Sequence, residues 1–139
     1  NPCWLDHITI SKVFASKAGE ELRRPGMYEK NDKWGRETQP IIWFADDIRS
    51  GHVSVSEIYR DEQTDTAAEL IRIDEDVHID CLDLVDLYER RLLRRDIPMV
   101  YNAGKINQLH ISRARSNGVR FRNEGEIKML FDDDLKHGL

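Results

Sequence analysis

The sequence is short of sulfur and of every spaced motif that usually announces a catalytic or metal-bound protein. Two cysteines in 139 residues, Cys3 and Cys81, cannot build a disulfide framework. A single long-range bridge stays open, but two free thiols of an intracellular protein fit the compartment rule better. There is no C-x-x-C and no H-x-x-x-H, so a structural zinc site has no support. The histidines (His7, His52, His78, His110 and His137) are scattered, with no nucleophile–base or metal-ligand spacing. No Ser or Cys stands in a G-x-S-x-G setting, which leaves covalent catalysis without a signature. No apolar run is long enough to span a bilayer, and no charged-apolar-small leader opens the chain, so neither a membrane nor a secretory role is expected. No internal repeat or low-complexity segment stands out.

What is present suits one domain large enough for its own core. The chain opens with Asn-Pro rather than Met, which reads as a fragment of a larger protein. Acidic residues outnumber basic ones, 26 to 21, for a formal net charge of −5. They are also divided. Asp46 to Glu89 is acidic with only Arg49, Arg60 and Arg72 against it, whereas Arg90 to Arg122 is basic with Asp96 its only acid. Such asymmetry can mark two contact faces.

The organising stretch is Gly51 to Leu84. Val53, Val55, Glu57 and Tyr59 alternate with His52, Ser54, Ser56 and Ile58, the period of a half-buried strand. Further strands are predicted over Trp4–Phe14, Ile41–Ala45, Leu70–Ile73, from Val77, Met99–Tyr101, Ile106–Ile111, Val119–Arg122 and Ile127–Phe131, with a short one near Gly26–Glu29. Asp46 to Gly51 is expected to join Ile41–Ala45 and Gly51–Arg60 into an antiparallel hairpin with Val53 and Val55 buried. Leu82, Val85, Tyr88 and Leu92 recur at three- and four-residue intervals, so a helix is predicted from Cys81 to Arg95, stopped by Pro98. The loops Ala15–Gln39 and Pro98–Asn117 would then supply variable surface. The fold class expected is mostly β, a small antiparallel barrel or meander with one or two short helices.

The run IIWFADDIRSGHVSVSEIYRDEQTDT resembles the core of a BAH (bromo-adjacent homology) domain, through Val53, Val55, Ile58, Tyr59, Arg60, Glu62, Gln63 and Thr64. DEDVHIDCLDL resembles that family's acidic turn and following strand. The likeness spans Pro40 to Tyr88 and is nearest to the BAH modules of eukaryotic DNA (cytosine-5) methyltransferases. It implies a non-catalytic, nuclear chromatin module over residues 1–139, docking on a histone tail, a nucleosome or neighbouring domains of its parent. Arg60, Glu62 and Thr64 would then be structural, with Arg60 and Glu62 fixing the corner after the strand.

Three sets of residues carry candidate chemistry. Trp43 and Tyr59, with Trp34 and Tyr28 and an anionic Glu57, have the parts of a methyl-lysine cage. They read more simply as core residues of paired strands. Glu57 stands where readers of the family place Trp, so tight methyl-lysine binding is not expected. Arg90, Arg91, Arg94, Arg95, Arg113, Arg115, Arg120 and Arg122 can neutralise phosphates and give non-specific DNA contact. Equally, they can pair with the acidic half of the chain. Glu126-Ile127-Lys128, with Asp74, Asp76 or Asp80, has the form of a metal-dependent nuclease strand, a match that arises often by chance. An acidic adaptor unrelated to chromatin is the third reading. No cofactor and no metal is expected.

Overall fold

The computed structural model describes residues 3–15, 40–60, 68–90 and 95–136. Its strands are β1 (Cys3–Ala15), β2 (Ile42–Phe44), β3 (Ile48–Arg60), β4 (Ile71–Ile73), β5 (His78–Glu89), β6 (Val100–Asn102), β7 (Lys105–Ser116), β8 (Phe121–Asn123) and β9 (Glu126–Asp132), closed by a helical turn, α1 (Asp133–Lys136). The odd-numbered strands form one sheet in the order β1-β3-β5-β7-β9, and the even-numbered strands form a second, β2-β4-β6-β8. Every pairing in both sheets is parallel. Each strand therefore pairs with the next strand but one. From β2 onward the chain climbs as a coil whose every circuit lays down one short and one long strand, the arrangement of a β-solenoid.

The chain is mostly β, but the expected antiparallel barrel or meander is overturned. β2 and β3 do not pair as a hairpin: the Asp46-Asp47 turn hands the chain from one sheet to the other. The expected helix at Cys81–Arg95 is also overturned, since β5 runs to Glu89; residues 91–94 lie outside the described segment. Pro98–Asn117, expected to supply variable loop surface around strands at Met99–Tyr101 and Ile106–Ile111, is mostly strand, β6 and the longer β7. The short strand near Gly26–Glu29, most of the loop at Ala15–Gln39, and the partners Glu62 and Thr64 fall outside the described residues. No helix among the described residues is long and apolar enough to cross a membrane.

The repeat that escaped the sequence is inward apolar residues at its first, third and sixth positions, with the positions between them pointing outward. Ile8-Thr9-Ile10-Ser11-Lys12-Val13 stacks on Val53-Ser54-Val55-Ser56-Glu57-Ile58, and that on Leu82-Asp83-Leu84-Val85-Asp86-Leu87. The spacing from one circuit to the next is uneven: Ile8 meets Val53 45 positions on, Val53 meets Leu82 after 29, Leu82 meets Leu109 after 27 and Leu109 meets Leu130 after 21. Unequal corners hide the period.

The step from two-residue to three-residue spacing has a backbone cause. Lys12, Glu57, Asp86 and Arg113 all take positive φ, between 54° and 61°. They occupy the same place in successive coils, and the pairing register skips each of them. One left-handed residue bends the strand and reverses which face the next side chain points to. Hence Val53, Val55, Ile58 and Arg60 are buried, while Glu57 and Tyr59 are only partly covered. In β5 the same bend puts Leu82, Leu84, Leu87 and Glu89 inside. Its mixed spacing imitates a helical period, which is why a helix was expected there.

The core consists of stacked columns, each one residue wide. Val53, Leu82 and Leu109 make one, Val55, Leu84 and Ile111 the next, and Ile58, Leu87 and Ala114 a third. Ile42, Ile71 and Val100 form the wall facing them. Arg60 stacks on Glu89 as a buried ion pair, and its Nη2 also donates to the Ala68 carbonyl at 2.8 Å. Arg60 and Glu62 were expected to fix the corner through bonds to loop backbone or to each other. Arg60 does donate to loop carbonyls and pairs with Glu89 of the next coil, while Glu62 lies outside the described residues.

At the last coil, Leu130 continues the Val53 column but is 51% exposed, because no further described strand covers it. α1 replaces part of the missing circuit. The Asp134 carboxylate accepts from the backbone N–H groups of Arg113 (2.7 Å) and Ala114 (2.9 Å) and from Arg120 Nη2 (2.8 Å). It satisfies β7 donors that β9, which ends at Asp132, no longer reaches.

Two outcomes are expected. Val55→Asp puts an unpaired charge in a fully buried column and should unfold the protein, read as loss of the cooperative thermal transition. At the left-handed corner, Glu57→Gly should leave urea stability unchanged or raised, whereas Glu57→Val should lower it by about 1–3 kcal/mol. Equal effects of Gly and Val would show that the corner is not under conformational constraint.

Candidate functional site

The outward column of the four-stranded sheet gathers the most concentrated recognition chemistry. β2, β4, β6 and β8 each have three residues, and the middle ones, Trp43, Arg72, Tyr101 and Arg122, stand in register. Their neighbours along β2 and β4 point inward and are buried, so alternation drives this column toward solvent. Trp43 is 51% exposed. The Arg72 guanidinium lies over the Tyr101 ring, 5.0 Å from its centroid.

Carboxylates from the adjacent corners hold this column in place. Trp43 Nε1 donates to Asp74 Oδ2 at 2.8 Å, and Arg72 Nε donates to Asp74 Oδ1 at 2.9 Å. Tyr101 donates its hydroxyl proton to Glu124 at 2.6 Å. That hydrogen bond, then partial burial, raises the Tyr101 pKa. For Arg72 burial pulls downward most strongly, but the bond to Asp74 and the charges of Glu69 and Asp74 together leave its pKa raised. Both side chains keep their protons and are held rigidly.

The corners themselves are acidic because tight turns favour Asp, and Asp46 takes positive φ there. Stacking the turns stacks their charges. A groove of about 400 Å3 opens among Asp46, Arg72, Asp74, Glu75, Asp76 and Tyr101. Arg72 is already engaged by Glu69 and Asp74. Among the described residues, no cation pairs with Asp46, Glu75 or Asp76.

The residues picked out from the sequence are distributed differently. Trp43 belongs to the four-stranded sheet, Glu57 and Tyr59 to the five-stranded one. Glu57 is a corner residue, and among the described side chains the Tyr88 ring lies 6.5 Å from that of Tyr59. No ring contact joins Trp43 to Tyr59 among the described residues. Among the arginines, Arg113 pairs with Asp86 and Arg120 with Asp132 and Asp134, while Arg122 donates to the Asp96 carbonyl. Arg90, Arg95 and Arg115 are exposed, and Arg91 and Arg94 lie outside the described residues. Glu126 and Lys128 lie on the terminal strand β9 and Asp74 at a corner. Asp80 accepts from Asn107 at 2.8 Å.

A second cluster lies on the outward face of the long strands. His52 on β3 stands in register with Cys81 on β5, and Asp83 follows two places on, on the same face. His52 Nε2 is 2.7 Å from Asp83 Oδ2, and the Cys81 thiol donates to Asp83 Oδ1 at 3.9 Å. One donor atom from each of the three residues lies within 4.8 Å of the others. Burial first, then the Asp83 charge and hydrogen bond, raise the Cys81 pKa. His52 and Cys81 both contact the Asp83 carboxylate, and its negative charge disfavours the thiolate form of Cys81. The histidines and cysteines had shown no ligand spacing because the relevant interval is one circuit of the coil, from position 52 to 81.

Comparison with protein-family models, with curated proteins and with solved structures gives no match. The site is therefore read from its own chemistry. Asp74→Ala removes the acceptor shared by Trp43 and Arg72 and should cost about 1 kcal/mol in urea unfolding, with a change in tryptophan emission. An unchanged spectrum and midpoint would mean that the column does not depend on Asp74.

Proposed function

We propose that the chain acts by binding rather than catalysis, as a docking module for an extended, basic peptide segment. One observation carries this reading: Asp46, Glu75 and Asp76, without cationic partners among the described residues, line a groove beside the exposed Trp43 and the fixed Tyr101. Carboxylates accept charge-assisted bonds from Lys or Arg, and aromatic faces attract the same cations. The net charge of −5 steers a basic partner toward the surface. A rigid stack of coils presents these groups without an ordering cost at the moment of binding.

A histone tail is one peptide of this chemistry. The nuclear setting and the methyltransferase parent rested on the BAH resemblance, and the parallel coil lends them no further support. Charge rather than methylation is expected to govern affinity, since Trp43 stands on one sheet and Glu57 and Tyr59 on the other.

Titrating the chain with a Lys/Arg-rich peptide and with its Gln-substituted counterpart tests the reading. Binding should be confined to the basic peptide, weaken as salt rises, and fall by about tenfold or more in Asp46→Asn/Glu75→Gln/Asp76→Asn. Undiminished binding by that variant, or a strong preference for a methylated peptide, would contradict it. So would salt-sensitive DNA binding lost on replacing Arg113 and Arg115.

A further inference from the structure

We infer that His52, Cys81 and Asp83 form a three-donor site for a zinc-class transition metal ion, with a fourth position open to solvent. The donor set decides the class. Thiolate and imidazole together suit Zn²⁺ and its neighbours in the first transition row, whereas Ca²⁺ and Mg²⁺ take oxygen. The geometry agrees. Donors bound 2.0–2.3 Å from a tetrahedral ion stand roughly 3.3–3.8 Å apart. Here one donor atom from each residue lies within 4.8 Å of the others. The Asp83 carboxylate bridges the other two, with Oδ2 2.7 Å from His52 Nε2 and Oδ1 3.9 Å from Cys81 Sγ. Shifts of about an ångström, within reach of side-chain rotation, bring one atom of each residue onto a single ion.

The backbone beneath the cluster is already fixed. His52 and Cys81 are direct partners in the β3–β5 ladder, and Asp83 shares their face. An ion here joins two successive coils. His52 has 41% of its side chain exposed and Asp83 30%, so the site can be reached from solvent. His7, the register partner of His52 on β1, packs edge-on against it with ring centroids 4.9 Å apart and borders the open side. His7 Nε2 lies 3.0 Å from Thr9 Oγ1, a contact that orients its ring.

The test uses the full chain, freed of metal with a chelator and titrated with Zn²⁺ and, separately, with Co²⁺. One ion per chain should bind, and Co²⁺ should give a thiolate charge-transfer band in the near ultraviolet. The band should disappear in Cys81→Ala and persist in Cys3→Ser. His52→Gln and Asp83→Asn should each weaken binding by at least the roughly 10–100-fold typical of a lost outer-shell partner. Ca²⁺ and Mg²⁺ should not compete. Should Cys81→Ala misfold, the wild-type chain supplies a second readout: Zn²⁺ should slow alkylation of Cys81 by iodoacetamide. Absence of binding, cobalt bound without the thiolate band, a band kept in Cys81→Ala, or an alkylation rate indifferent to Zn²⁺ would each overturn the assignment.

Discussion

In-register parallel pairing of successive coils is the constraint on which the remainder of this protein depends. Because the register carries like positions over like positions, each column of the fold is a short list of residues from different circuits. Apolar columns become the core, and polar columns become ladders on the surface. A shift of one residue in any coil would turn its apolar set outward. The recurring left-handed residue, at Lys12, Glu57, Asp86 and Arg113, is tied to this register: it bends β1, β3, β5 and β7 at one level, so their corners coincide. Four non-glycine residues in that conformation carry strain, which the surrounding ladder holds in place.

The same stacking explains the charges. Arg60 and Glu89 are buried together because the register superposes them, and removing either would leave the other uncompensated inside. At the final coil a strand partner is no longer supplied, and Asp134 takes up two backbone donors and the Arg120 guanidinium. Acidic turn residues that would be unremarkable singly become a groove when the corners after β2 and β4 lie one above the other. Trp43, Arg72 and Tyr101 become a column for the same reason, and His52, Cys81 and Asp83 become a donor set.

Most strands were legible in the sequence, since Val53, Val55, Leu70 to Ile73 and Ile106 to Ile111 show β-branched or alternating patterns. Pairing was not. Alternation states which side chains share a face but not which strand lies beside which, and a polar Asp-Asp turn serves a hairpin and a coil corner equally well. The helix expected from Cys81 came from reading apolar spacing without the left-handed Asp86. The BAH resemblance rested on Val53, Val55, Ile58, Tyr59, Arg60, Glu62, Gln63 and Thr64. The apolar part of that motif, Val-x-Val-x-x-Ile, also recurs as Ile8-x-Ile10-x-x-Val13 and Leu82-x-Leu84-x-x-Leu87, where it marks the coil. Of the candidate site, Trp43 was visible as an aromatic; Arg72, Tyr101, His52, Cys81 and Asp83 were not, because only the register unites them.

The central claim is the parallel register, and nuclear Overhauser contacts between assigned side chains measure it most directly. A methyl series should link Val53 to Leu82 and Leu82 to Leu109, with Val55 linked to Leu84 and Leu84 to Ile111. Close backbone contacts pairing Ile42–Phe44 with Val53–Val55 in antiparallel order, in place of that series, would contradict it.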